Sequence, residues 1–138
     1  MSLLRRREMM QEEKTEYAGI LYIDSGFLNE QVRYDGTPIY NANYPDAWAT
    51  TYFPVRFNDV INCKETEERD YDTRVRFYYS NGTKAQYNNG GAINIIVEDP
   101  LWINARLMGL YSDMPIPNEL TVVHPNGTID AYKIIDRR

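Results

Sequence analysis

The chain has 138 residues, of which 43% are hydrophobic, and its formal net charge at pH 7 is −5. This length suits one domain with a short extension, and this composition argues against disorder throughout. Residues 1–14 carry four basic and three acidic side chains, so the remaining chain has a net charge of −6. Such a charge repels phosphates, and we therefore expect no nucleic acid among the partners.

Cysteine and histidine are too scarce for several kinds of site. Cys63 is the only cysteine and His124 the only histidine, which excludes an internal disulfide and a zinc site built from these residues. The opening residues, MSLLRRREMM, have charges where a secretory signal has its apolar stretch. No stretch is long and apolar enough to span a membrane, so we expect no membrane insertion.

The predicted elements follow the chain from a short leader into many strands. Residues 3–14 are good helix formers without a clear apolar stripe, so the leader is predicted to be helical or extended. From residue 16 onward, short apolar runs between turn residues are typical of an all-β protein. The predicted strands and hairpins span 16–23, 32–40, 48–57, 59–63, 72–88, 92–98, 101–108 and 119–135.

Turn residues and spacing indicate the architecture. Asp35-Gly36, Asn81-Gly82 and Asn126-Gly127 are expected to form tight hairpin turns with positive φ angles, and Pro54 is expected to interrupt its strand. Strands spaced about ten residues apart are typical of a sandwich or a barrel. We predict a jelly-roll-like antiparallel β-sandwich over residues 16–138, preceded by a leader over residues 1–15.

Alternation within the strands predicts which side chains face the core. Residues two apart on a strand share one face, so each run of alternating apolar residues marks an inward face. The positions expected to face inward are Val75, Phe77, Tyr79, Ile93, Ile95, Val97, Leu101, Ile103, Ala105, Leu107, Leu120, Val122, Ile129, Ala131 and Ile135.

The leader has the residue types of a docking segment. Its arginines can pair with acidic or backbone groups of a partner, and its apolar side chains can be buried against that partner. The predicted docking residues are Leu4, Arg5, Arg6, Arg7, Met9 and Met10. The alternative is a frayed N-terminus, which is common in single domains.

The sequence MSLLRRREMMQ resembles the opening of small virion-associated proteins of tailed bacteriophages that infect gut bacteria. These proteins begin with a leucine, an arginine triplet and a pair or triplet of methionines. Leu4 to Met10 match this opening, and Glu8 departs from it. The resemblance implies a shared leader that docks different β-rich heads, often lectin-like, onto a tail or a capsid.

An aromatic and polar surface is the second predicted site. Sugars bind by stacking their C–H faces on aromatic rings while amides and charged groups bond the hydroxyls. The predicted glycan-binding residues form two groups, Tyr44, Trp48 and Tyr52, and Tyr78, Tyr87, Asn88 and Asn89. The alternative is that these rings complete the core or a subunit interface.

Acidic residues offer weaker alternatives. The loop 64–74 could supply calcium ligands through Glu65, Glu67, Glu68, Asp70 and Asp72, but its spacing fits no EF-hand and a solvated loop is favoured. Carboxylate catalysis would need a converging pair, such as Glu98-Asp99 or Asp70 with Asp72. No nucleophile motif is present. We therefore predict no enzyme activity, no cofactor and no metal.

These patterns together predict a bacteriophage virion protein: a fibre, a decoration protein or a receptor-binding head. We expect it to be a homo-oligomer that contacts other virion proteins through its leader and binds a cell-surface polysaccharide. It would be assembled in the host cytoplasm and released by lysis. The alternatives are a host-encoded carbohydrate-binding module, a small polysaccharide-degrading enzyme, and a structural connector without an outward ligand.

Overall fold

The computed structural model describes residues 20–28, 31–32, 38–39, 45–64, 66, 73–87, 93–111 and 114–138. Several predicted features lie outside these residues. They are the leader over residues 1–15, the Asp35-Gly36 turn, the calcium ligands proposed in the loop 64–74, and the predicted glycan-binding residues Tyr44, Asn88 and Asn89.

The described residues form strands and no helix, which confirms the prediction of an all-β fold. Accordingly, this part of the chain contains no helix that could cross a membrane. The strands are β1 Ile20–Phe27, β2 Gln31–Val32, β3 Pro38–Ile39, β4 Trp48–Thr50, β5 Phe53–Pro54, β6 Val60–Cys63, β7 Thr73–Tyr79, β8 Lys84–Tyr87, β9 Ile93–Ile96, β10 Trp102–Gly109, β11 Glu119–Val123 and β12 Ile129–Asp136.

Ten strands belong to one curled, mixed sheet, and β2 and β3 pair separately. The order across the main sheet is β8-β7-β10-β4-β1-β12-β11-β6-β9, with β5 paired to β10. The pairing of β1 with β12 is parallel, and the other described pairings are antiparallel. The finer prediction of a purely antiparallel jelly-roll sandwich is therefore not confirmed.

Two predicted hairpin turns are present, and each is one residue longer than the tightest kind. In the β7–β8 turn, Tyr79 donates its N–H to the Thr83 carbonyl at 2.9 Å, which leaves three residues in the loop. The third is Gly82, with φ of 84°. The β11–β12 turn has the same form, with Gly127 at φ 90°. Because this loop type needs one left-handed residue, glycine alone takes the positive φ and the preceding asparagine does not.

One face of the curled sheet encloses the core. Its buried residues come from both ends of the strand order, so the sheet packs against itself. Phe53 of β5 contacts Tyr132 of β12 with ring centroids 5.6 Å apart, and Phe77 stacks on Trp102 at 4.3 Å. The correctly predicted buried residues are Val75, Phe77, Ile93, Val97, Ala105, Leu107, Leu120 and Val122. Tyr79 and Ile95 are partly buried against this core, as expected.

The predicted inward faces around β10 and β12 are wrong at several positions. Leu101 lies in the turn before β10 and is 65% exposed, and Ile103 of β10 is 41% exposed, where the register with β7 shifts between Trp102 and Asn104. At this irregularity the alternation shifts by one residue, so Trp102 packs against the core while Ile103 faces outward.

In β12, the opposite set of residues faces the core. Tyr132 and Ile134 are buried, Ile129 is exposed, and Ala131 and Ile135 are only half-buried. The strand is oriented by its parallel partner β1, where Ile23 is opposite Ile134 and both are buried.

Candidate functional site

The predicted aromatic surface is only partly assembled, and Trp48 does not belong to it. Trp48 is completely buried in β4, which lies between β1 and β10. Its indole N–H donates to the Met114 carbonyl at 3.1 Å, and its ring packs on Gly109 of β10. The prediction that Trp48 is an exposed stacking ring is therefore wrong, because a central strand position takes the largest side chain into the interior.

Tyr52 and Tyr78, which the sequence placed in separate groups, are in contact. Their ring centroids are 4.7 Å apart, and the rings are tilted by 38°. Tyr52 is 53% exposed, whereas Tyr78 is buried beneath it. The Arg106 guanidinium lies 5.0 Å from the Tyr52 ring centroid and donates through Nε to the Thr50 carbonyl at 3.1 Å. We call Tyr52, Tyr78 and Arg106 the Tyr52 cluster.

The Arg106 guanidinium interacts with both tyrosines of the Tyr52 cluster. Burial raises the pKa of the Tyr78 phenol, while the charge of Arg106 and its hydrogen bond to Tyr78 lower the pKa by less. The phenol therefore stays neutral near pH 7 and holds Arg106 beside Tyr52. Tyr87 ends β8, where its backbone is paired with that of Arg76.

A second group, which sequence reasoning missed, surrounds the only histidine. His124 Nδ1 is 2.8 Å from Asp59 Oδ1, and its Nε2 is 2.9 Å from Asp130 Oδ2. The Asp59 side chain is buried, whereas Asp130 is partly exposed. We call this arrangement the His124 bridge, since one imidazole joins two carboxylates.

Three strand ends position the His124 bridge. Asp59 follows a turn in which Asn58 takes a left-handed φ of 70°, and its Oδ2 accepts the Arg56 N–H at 2.8 Å. Asp130 lies opposite Val122 in the register of β11 and β12, so its side chain projects toward the interior side. His124 directly follows β11 and reaches both carboxylates at this end of the sheet.

The geometry of the bridge favours the charged imidazolium. Carboxylate oxygens only accept hydrogen bonds, so both ring nitrogens must carry protons to donate to them. Burial alone would lower the pKa of His124, but the hydrogen bonds to Asp59 and Asp130 and their charges together raise it. The bridge thus carries one positive and two negative charges in this state.

A surface cleft of about 640 Å³ opens beside the His124 bridge. Its size is within the range of small-molecule sites. Apolar and polar groups share its walls, among them Pro54, Arg56, Phe57, Asn126, Ile129 and Asp130. Phe57 and Ile129 expose much of their side chains there, although both are large and apolar. The cleft can therefore offer apolar contact, a guanidinium and a carboxylate to one ligand.

Two other residues singled out from the sequence, Asp99 and Cys63, have structural roles. Asp99 Oδ1 accepts the Leu101 N–H at 2.8 Å within a turn, and Cys63 is buried with its Sγ 3.4 Å from the Glu119 carbonyl. Among the described residues, no group of three histidine, cysteine or acidic side chains is arranged to hold a metal ion.

Comparisons with known proteins found no match. No family model, no curated protein and no solved structure matches this chain. The chemistry of the chain's own residues is therefore what bears on its function.

Proposed function

We propose that this chain is a non-enzymatic virion protein of a tailed bacteriophage that binds a cell-surface glycan. Its role would be that of a fibre, a decoration protein or a receptor-binding head. The leader, through Leu4 to Met10, docks the protein onto the particle, and the β-rich domain faces the host. The resemblance of the leader to virion-associated proteins supports the docking part of the proposal.

The Tyr52 cluster is the observation that supports glycan binding. Tyr52 presents a half-exposed ring, which is a surface on which the C–H face of a sugar can stack. Tyr78 and Arg106 restrain that ring, so little side-chain freedom remains to be lost on binding. The Arg106 guanidinium also offers donors to hydroxyl or carboxylate oxygens beside the ring.

A homo-oligomer is part of the same proposal. One exposed tyrosine and one arginine give a weak site, and weak sites become effective when several copies engage one surface. A symmetric assembly on the particle would supply those copies.

Glycan binding is tested by comparing two exposed tyrosines. We expect Tyr52→Ala to abolish binding of the purified protein to polysaccharide extracted from the host surface, measured by calorimetry. Tyr22→Ala is the matched control, because Tyr22 is also an exposed tyrosine but is on β1 and is not part of the ring contacts that form the Tyr52 cluster. Equal binding by both variants would contradict the site. Release of reducing sugar would instead indicate the rival enzyme.

Docking is tested separately with the leader. We expect a phage carrying the chain without residues 1–14, or with Arg5, Arg6 and Arg7 changed to alanine, to lack this protein in purified particles. Light scattering on the intact and truncated chains gives the oligomeric state of each. Normal incorporation of the truncated protein would overturn the docking role and leave glycan binding to stand on its own test.

A further inference from the structure

The segment from Tyr52 to Phe57 connects the Tyr52 cluster with the cleft. Phe53 and Val55 are buried, whereas Tyr52, Pro54 and Arg56, which alternate with them along the chain, are exposed. Strict alternation of this kind means that the backbone is extended and that these three side chains share its outer face. The Val55 N–H donates to the Ile103 carbonyl at 3.0 Å, which continues the pairing of β5 with β10.

The two ends of this segment carry different chemistry. At one end, Tyr52 lies against Arg106 of β10. Toward the other end, Pro54, Arg56 and Phe57 form part of the wall of the cleft. Arg56 is four residue steps beyond Tyr52, which corresponds to roughly 13 Å in an extended chain. A ligand that touches both ends must therefore be longer than one sugar unit.

Arg106 and Arg56 supply positive charge at the two ends of this segment, although the net charge of the whole chain is −5. Among the described residues, no carboxylate forms an ion pair with Arg56 or Arg106. Asp59 and Asp130, the nearest acidic groups in the cleft, are both bonded to His124. Guanidinium groups bind carboxylates with paired, charge-assisted hydrogen bonds.

We propose that the Tyr52 cluster, the exposed face of residues 52–57 and the cleft form one continuous track for a linear acidic oligosaccharide. Uronate carboxylates pair with Arg106 and Arg56, and the rings of Tyr52 and Phe57 take the C–H faces of the sugars. At the far end, Asp130 and the Asn126 amide bond hydroxyl groups. This inference rests on the proposed function and adds the length and charge of the ligand.

The only histidine provides a direct reporter for the far end of the track. His124 lies in the cleft wall beside Asp130, so a ligand that bonds Asp130 changes the environment of the imidazole. The imidazole proton signals in an NMR spectrum of the full chain arise from this residue alone. A ligand confined to Tyr52 leaves those signals in place.

The test uses three probes on the full chain: galacturonic acid, its linear trimer, and the neutral trimer maltotriose. We expect the acidic trimer to bind at least about tenfold more tightly than the monomer, since its units engage linked subsites. It should also shift the His124 signals, whereas maltotriose should bind weakly. Arg56→Ala should reduce trimer binding to the monomer level, while Arg137→Ala, which removes an arginine outside the track, should not.

The outcomes separate this inference from the proposed function. Equal affinities for monomer and trimer, with unchanged His124 signals, would overturn the track and leave the Tyr52 site intact. Maltotriose binding as tightly as the acidic trimer would overturn the assignment of charge. If no saccharide binds, including polysaccharide from the host surface, both the track and the proposed glycan function are wrong.

Discussion

Trp48 of β4 and Gly109 of β10 are register partners, and the indole ring of the first occupies the space where any side chain of the second would lie. A Cβ atom placed on Gly109 would overlap Nε1 and Cε2 of the indole. The indole ring has little room to move away, because it is fully buried and its N–H is hydrogen-bonded to the Met114 carbonyl. The indole ring of Trp48 thus fills the space that is left on the adjacent strand because Gly109 has no side chain.

Gly109→Ala should therefore destabilise the protein. We expect the free energy of unfolding to fall by about 1–3 kcal/mol, as is usual when a packed interior is overfilled. Urea denaturation measures this change. Gly26→Ala is the matched control, since a Cβ atom there meets nothing within 4 Å, and its effect should stay within about 0.5 kcal/mol. Similar effects of the two substitutions would contradict the packing.

Trp48→Ala should unfold or severely destabilise the chain. Removing a fully buried tryptophan costs about 3–5 kcal/mol and leaves the Met114 carbonyl without its donor. Trp48→Phe retains part of the volume and should cost less. Thermal melting monitored by circular dichroism would show the order. A near-normal melt of the alanine variant would mean that the ring is exposed after all.

The His124 bridge should make stability depend on pH. The pKa of His124 is raised in the folded state above its ordinary 6.5, so the protonated bridge stabilises the fold. That stabilisation is complete below about pH 6.5 and is lost as the pH rises through the raised pKa.

Urea denaturation at several pH values tests this dependence. The free energy of unfolding should fall across the window above pH 6.5 in the intact chain, and His124→Gln should remove most of the slope. Since the chain has one histidine, no second imidazole contributes. A stability that is flat or rises with pH in the intact protein would refute the protonated bridge.

Val75→Asp should cost several kcal/mol, because it would place an unpaired charge at a fully buried position of β7. Ser80→Asp adds the same charge at an exposed turn residue of the adjoining hairpin and should be nearly neutral. Melting temperatures of the two variants provide the comparison. An unchanged melt for the Val75 variant would mean that Val75 is not buried.

Local signals in the sequence predicted the strands well. The glycines at 82 and 127 mark the hairpin turns, and Pro54 ends a short strand, because each effect acts within a few residues. Faces were predicted less well where long-range partners decide them. Asp130 is a polar residue and was not expected on the inward face of β12. It lies there because its carboxylate is hydrogen-bonded to His124.

The candidate site was harder to predict for the same reason. Tyr52 directly precedes β5 and Tyr78 lies in β7, and their contact depends on β5 and β7 both pairing with β10. The His124 bridge joins a turn near residue 59 to a hairpin near residue 124, and no spacing reveals that pairing. The sequence signal for this site was a lone histidine next to a predicted hairpin turn. Its two partners, Asp59 and Asp130, each lie near the start of a strand.

The parallel pairing of β1 with β12 has a consequence for how the protein acquires its structure. It joins β8-β7-β10-β4-β1 to β12-β11-β6-β9, and the Ser25 hydroxyl donates to the Ile135 carbonyl across 110 residues of sequence. During synthesis, β1 emerges from the ribosome before β12. The edge of β1 that pairs with β12 therefore stays unpaired until β12 has been made. Folding is therefore expected to be slow and to finish late, with open strand edges exposed to other nascent chains until β12 closes the sheet.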